Sequence, residues 1–395
     1  MTAPAREDFY REKRLPPYVF AEVNRMKLAY RKEGRDVIDF GMGNPDLPPA
    51  AHIVAKLSEV AADPRAHRYS ASQGVPSLRK ALSRYYARRF DVSLDADREV
   101  CVTLGSKEGL ANLAQAITAP GDVILVPDPS YPIHMFGFII AGAAVRPVAF
   151  DGPEAFLREA AHACKRSIPA PGALVLNFPS NPTAEVVDLG FYKEAVALAK
   201  ANDLVLISDL AYSEIYFDGD APPPSILQVP GAKDVAVEFT SMSKTYSMPG
   251  WRIGFAAGSA RLVDALKRVK SYLDYGAFTP VQIAAVAALD GPQDHVAYAR
   301  DIYRKRRDVL VESFTRAGFP IPAPPATMFA WAPIPEAFAD LGSVEFAKQL
   351  LEKTDVAVAP GLGFGERGDG HVRLALVENE QRIRQAARKL KPFFA

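Results

Sequence analysis

Between residues 99 and 257 the chain alternates two hydrophobic patterns. Short, mostly apolar runs at 99–104, 122–126, 144–150, 173–178, 204–208, 235–240 and 253–257 predict buried strands. Stretches at 106–117, 131–141, 154–164 and 191–201 bring an apolar residue back every third or fourth position and predict helices. Apolar strands alternating with helices imply an α/β domain: a mostly parallel sheet of seven strands with both faces covered.

The flanking segments read differently. Residues 1–35 are charged and partly helical, with Leu15-Pro16-Pro17-Tyr18-Val19-Phe20 as a docked arm. A short strand at 36–40 runs into the turn-rich Gly41-Met42-Gly43-Asn44-Pro45-Asp46. Helical spacing returns at 50–61, 75–90, 260–270 and from 280 to 289. After about residue 290 the alternation stops. A long charged helix at 301–318, a proline-rich link at 320–325, strands at 327–333, 356–359 and 371–377, and a closing helix at 379–393 make a smaller α+β unit. The expected division is 1–45 for the arm and part of the small domain, 46–289 for the large domain and 290–395 for the small one.

Composition removes several classes of function. The formal charge of +1 gives no case for nucleic acid or an acidic membrane, so Lys267, Arg268 and Lys270 read as a solvated helix face. Cys101 and Cys164 make no disulfide framework, and scattered histidines without a paired spacing make no metal site. There is no apolar run long enough for a membrane span, and no secretory leader in residues 1–14. A cytoplasmic enzyme fits these features. A DNA-reading regulator would need a helix-turn-helix, for which the arm before residue 36 has no room.

Ligands of open α/β sheets bind beyond the carboxyl ends of the strands, so polar residues just after predicted strands are the candidates. Ser106 and Lys107 follow one strand and open a helix whose free N–H groups favour a phosphate. Asn181 comes three residues after another, Asp209 directly after a third, with Tyr212 close behind. Ser241, Ser243 and Lys244 follow the next. Only Thr245 to Trp251 separate Lys244 from Arg252, too few for a parallel crossover, so the strand at 253–257 should run antiparallel and return Arg252 to the same edge. These side chains suit pyridoxal 5'-phosphate (PLP). Lys244 would hold it as an imine and later move the α-proton. Asp209 would pair with the protonated ring nitrogen, and Asn181 and Tyr212 with the ring's phenolic oxygen. Ser241, Ser243 and Arg252 would share the phosphate. Tyr131 would stack on the ring, and Arg373 would bind a substrate carboxylate through two hydrogen bonds. Each residue has a plainer reading alone: a surface loop for Ser-x-Ser-Lys, a helix cap for Asp209, core packing for Tyr69 and Tyr131, an ion pair for Arg373. Lys107 is the rival amine. Their joint placement at strand ends is what favours the cofactor.

With these motifs in hand the chain resembles the class I/II, fold type I, PLP-dependent aminotransferases, from Gly41-Met42-Gly43-Asn44-Pro45 to His371-Val372-Arg373. The resemblance implies a homodimer with shared active sites. It implies that Tyr69 reaches the partner's cofactor phosphate, and that the Gly43 backbone and Asn181 help Arg373 hold the α-carboxylate. Leu15-Pro16-Pro17-Tyr18-Val19-Phe20, Gly105-Ser106-Lys107-Glu108-Gly109-Leu110, the stretch from Tyr272 to Pro280 and Pro360-Gly361-Leu362-Gly363-Phe364-Gly365 are similar to bacterial glutamate–pyruvate (alanine) aminotransferases. Aspartate and LL-diaminopimelate aminotransferases, a PLP-dependent C–S lyase on the same scaffold, and an interaction protein with a relic site are the alternatives.

Overall fold

The computed structural model describes residues 9–17, 19–217 and 222–395. Twelve strands occur among them: β1 Ile38–Asp39, β2 Val100–Thr103, β3 Val123–Asp128, β4 Ala144–Ala149, β5 Pro171–Asn177, β6 Val205–Asp209, β7 Ala236–Ser241, β8 Gly254–Gly258, β9 Phe329–Pro333, β10 Val356–Ala357, β11 Ala359–Pro360 and β12 His371–Ala375. Seven of them form one sheet in the order β2-β8-β7-β6-β5-β3-β4. All its neighbours are parallel except β8, which runs antiparallel to both β7 and β2. The short link after Lys244 therefore turns the chain back along the same edge, as its length requires.

Side-chain alternation explains why this sheet is covered twice. Leu174 and Leu176 of β5, Leu206 of β6 and Ala236 of β7 pack into one core. Ala173 and Val175, Ile207, Val237 and Phe239 point the other way into a second. Neighbouring residues on a strand face opposite sides, so a strand apolar at every position needs a helix layer on each face. Helices Pro76–Phe90, Pro153–Arg166 and Leu189–Asn202 contribute to the first core. Helices Ser106–Ile117, Pro132–Ala141 and Ala260–Leu273 contribute to the second.

A third core lies under the antiparallel sheet β11-β12-β9. Helix Asp294–Arg316 enters it with Tyr303, Leu310 and Phe314, and the chain's early part adds Val23, Val37, Ile38 and Phe40. That helix begins seven residues before its expected start, because Val296 and Ala299 continue its buried stripe toward the N-terminus. The strand expected at 356–359 breaks at Val358. β10 pairs in parallel with β1, whereas β11 pairs antiparallel with β12, so the two halves serve different sheets.

One expectation is overturned. Lys270 is not on a solvated face. Its side chain is fully buried, with Nζ donating to Glu108 at 3.0 Å and to Asp274 at 2.8 Å. Two carboxylates compensate the buried ammonium; Asp274 lies one turn further along, at the end of the same helix, but Glu108 is distant in sequence. Arg268 of the same helix is exposed. No helix among the described residues is long and apolar enough to cross a membrane.

Candidate active site

The register of the central strands sets up one polar edge. Asn177 ends β5 opposite Asp209, which ends β6 opposite Phe239 of β7. Ser241 ends β7 opposite Gly254, and Gly254 also faces Thr103 at the end of β2. A Cβ on Gly254 would lie 2.7 Å from the Ser106 nitrogen, so the glycine lets the helix start at Ser106 close in on the sheet. The cavity over this edge is lined by Gly43, Ser106, Lys107, Tyr131, Asn181, Asp209, Tyr212, Ser241, Ser243, Lys244, Arg252 and Arg373. Every candidate inferred from sequence is therefore in one place except Tyr69. That ring is 86% exposed, outside the cavity, and packs on Tyr275 at a centroid distance of 4.6 Å.

At one end the groups suit an anion. Gly105, at φ +87°, precedes helix Ser106–Ile117, whose first-turn N–H groups have no acceptor within the helix. Glu108 fixes that helix start: its Oε2 accepts from the Leu104 N–H at 2.8 Å, while its other oxygen takes Lys270. Arg252, at φ +56°, donates to the carbonyls of Pro249 at 2.8 Å and Leu104 at 3.2 Å, and so leans against the same turn. Ser241 caps the one-turn helix Met242–Thr245, its Oγ accepting from the Ser243 N–H at 3.1 Å. That single turn, too short to show in hydrophobic spacing, points Lys244 back across the strand ends.

Lys244 Nζ donates to the Gly43 carbonyl at 3.2 Å and lies 5.9 Å from the Tyr212 ring centre. Burial, then the positive charges of Arg373 and Arg252, lower its pKa to about 8. A neutral amine is a nucleophile, so this lowering prepares the group to attack a carbonyl. Burial acts on Tyr212 in the opposite sense and pushes its hydroxyl well above the ordinary phenol range.

Arg373 marks the other end. Its Nη1 donates to Asn181 Oδ1 at 2.7 Å and its Nη2 to the Gly41 carbonyl at 3.3 Å. The guanidinium lies between the rings of Phe329 and Phe364, 4.0 and 4.6 Å from their centres. Two aromatic faces hold the fork flat, a geometry suited to a carboxylate.

Asp209 occupies the floor. Its Oδ2 is 2.9 Å from His134 Nε2, and His134 Nδ1 is 2.7 Å from the Ser130 hydroxyl. Its Oδ1 is buried with no hydrogen-bond partner among the described residues. An unmatched buried carboxylate oxygen is costly, and here it borders the cavity. Sequence reasoning passed over His134, although a histidine four residues after Ser130 inside an apolar helix was a visible signal. It also passed over Asn177, whose Nδ2 donates to the Asp209 carbonyl at 3.0 Å and whose Oδ1 accepts from the Asn181 N–H at 2.9 Å. A polar residue closing an apolar strand was the signal there.

Comparison with known proteins bears on this arrangement. The family model for aminotransferase class I and II matches residues 35–390. A putative aminotransferase AatC of Rhizobium meliloti (strain 1021) is 64% identical over 389 residues, covering 98% of this chain and 96% of that protein. The glutamate-pyruvate aminotransferase AlaC of Escherichia coli (strain K12) is 53% identical over 393 residues, covering 100% of this chain and 95% of its own length. The substrate-bound structure of BacF from Bacillus subtilis superposes with a TM-score of 0.90 at 32% identity, covering 98% of both chains.

Proposed function

The chain belongs to the class I and II aminotransferase family, and from that premise we propose that it moves an amino group between alanine and 2-oxoglutarate, giving pyruvate and glutamate. Aminotransferases of this family use PLP. The observation that carries the reading to this chain's own residues is the orphaned Asp209 Oδ1 beside the cavity. A protonated ring nitrogen is the donor it lacks, and the helix start at Ser106 and the amine of Lys244 line the same cavity as candidates for a phosphate and an aldehyde.

When bound, the cofactor supplies an aldehyde to carry the amino group and a ring to withdraw electrons. The protein does the rest. Ser106, Lys107, Ser241, Ser243 and Arg252 would hold the phosphate, and Tyr131 would stack on the ring. Asp209, kept in place by His134, would keep the ring nitrogen protonated, and Asn181 and Tyr212 would donate to the ring's phenolic oxygen. Arg373, with Asn181 and the backbone at Gly43, orients the α-carboxylate. Lys244 would hold the aldehyde and would serve as the base that moves the α-proton. The exposed side chains of Tyr69, Tyr272, Leu273, Tyr275 and Phe278 support a homodimer in which Tyr69 would serve the partner's phosphate.

The purified protein, given alanine and 2-oxoglutarate, should release pyruvate and glutamate in equal amounts, read by a coupled lactate dehydrogenase assay. Pyruvate, ammonia and sulfide released from cysteine without any 2-oxo acid, and no pyruvate from alanine, would mean elimination chemistry instead. No turnover with alanine alongside rapid turnover of aspartate or LL-diaminopimelate would move the substrate assignment.

The lowered pKa of Lys244 gives a second expectation. Capture of the aldehyde requires the neutral amine, which becomes the major form above a pH of about 8 rather than above the ordinary 10.5. The stopped-flow rate of PLP capture by the apoprotein should rise roughly tenfold per pH unit below 8 and level off above it. A rate still climbing at pH 10 would contradict the assignment. Between these two values the unfolded chain holds a proton that the folded one has released, so this lysine makes apoprotein stability rise with pH there.

A further inference from the structure

Helix Phe20–Lys32 presents Phe20, Val23, Asn24 and Lys27 to the cavity, a spacing of three, one and three that places all four on one helix face. Lys27 is its polar anchor. Its Nζ lies 2.7 Å from Asp39 Oδ2, and both side chains are nearly buried, 8% and 12% exposed. The same oxygen is 3.5 Å from Arg31. The other oxygen, Oδ1, accepts from the Gly41 N–H at 3.0 Å. Asp39 thus holds the helix with one oxygen and the Gly41–Gly43 turn with the other.

That turn touches both ends of the reacting site. The Gly41 carbonyl accepts from Arg373, and the Gly43 carbonyl from Lys244. It has little freedom to move elsewhere. A Cβ on Gly43 would lie 2.5 Å from the Phe329 ring, and one on Gly41 would lie 3.3 Å from the Val358 backbone. A second line runs from the same helix: Phe20 packs edge-on against Phe364 at 5.4 Å, and Phe364 lies under the Arg373 guanidinium.

We propose that Asp39 and Lys27 are positioning residues for the substrate's carboxylate: the pair fixes the Gly41–Gly43 turn, and the turn fixes Arg373. This rests on the reading of Arg373 as the α-carboxylate site. Asp39→Asn is the informative change. An amide has one acceptor oxygen and one donor nitrogen, so it cannot accept from Lys27 and Gly41 at once.

The probe is 2-aminoisobutyrate, an amino acid without an α-hydrogen, titrated into the holoenzyme by absorbance. Asp39→Asn should weaken its binding about tenfold, or 1.4 kcal/mol. The KM values for alanine and 2-oxoglutarate should rise by a similar factor while kcat changes less than about threefold. The PLP dissociation constant should stay near wild type, while the melting temperature of the apoprotein falls because Lys27 is left nearly buried beside a neutral partner. Lys27→Met should act in the same direction but more weakly, because Arg31 remains, and the double variant should be no worse than Asp39→Asn. Unchanged 2-aminoisobutyrate binding in Asp39→Asn, with binding lost in Arg373→Leu, overturns the positioning role alone. Binding intact in Arg373→Leu overturns the carboxylate reading and this inference with it. Equal losses of PLP and 2-aminoisobutyrate affinity in Asp39→Asn would make the pair a general structural brace, which also overturns it. Should Asp39→Asn fail to fold, Lys27→Met carries the same comparison.

Discussion

Lys244→Ala is expected to lose transamination by at least ~10⁴-fold, because one side chain both holds the aldehyde and moves the proton. The loss should not come from failure to fold. Among the described residues the lysine's side-chain hydrogen bond is to the Gly43 carbonyl, and Met242 and Tyr246 on either side of it are packed in the core on the first face of the large sheet. Nor should the cofactor be lost outright, since Ser106, Ser241, Ser243 and Arg252 do not depend on the amine. The variant should therefore retain PLP by dialysis at high concentration, yet show the absorbance of a free aldehyde in place of the visible band of the lysine-bound form. Lys244→Arg should behave alike, for it restores the charge without a usable nucleophile. Turnover within tenfold of wild type would transfer the anchoring role to Lys107. That residue stands at the opening of helix Ser106–Ile117, 5.9 Å from the Tyr131 ring.

The edge that carries Lys244 was legible from sequence because its signals are local. Strand β6 ends at Asp209 and β7 at Ser241, and both ends are marked by a change from apolar to polar residues within the run itself. The antiparallel return of β8 followed from a count of residues. Strand order was not legible: β2 lies beside β8, more than a hundred and forty residues further along the chain, and no local pattern encodes that neighbour. Partners far apart in sequence were hidden for the same reason. Lys270 looks like a solvated lysine until Glu108 is placed beside it. Asp39 looks like the end of a short strand until Lys27 and Gly41 converge on its two oxygens. The break at Val358 was hidden because the local run is uniformly apolar, while the two halves pair with strands of different sheets.

Asp209→Ala, and more sharply Asp209→Asn, should bind PLP and fail to use it. The wild-type carboxylate has one oxygen committed to His134 and one buried without a partner. Burying that second oxygen is unfavourable unless a donor arrives, so the site favours a ligand carrying a proton at that point. An amide keeps the shape of the group and its contact with His134 but removes the negative charge, and a neutral acceptor cannot hold a proton on a pyridine ring against loss to water. The ring then withdraws electrons poorly, and the barrier to removing the α-proton rises although Lys244 is intact. A fall in kcat of roughly 10³-fold is expected, the scale of losing one preorganised electrostatic contact in a dry site. The phosphate contacts and Lys244 are untouched, so the absorbance of the lysine-bound cofactor should persist, which separates this variant from Lys244→Ala in the same cuvette. His134→Asn should produce a smaller loss in the same direction, since it loosens the carboxylate without discharging it. Asp209→Asn turning over alanine at the wild-type rate would remove the ring-nitrogen role, and with it the reason offered for the orphaned oxygen.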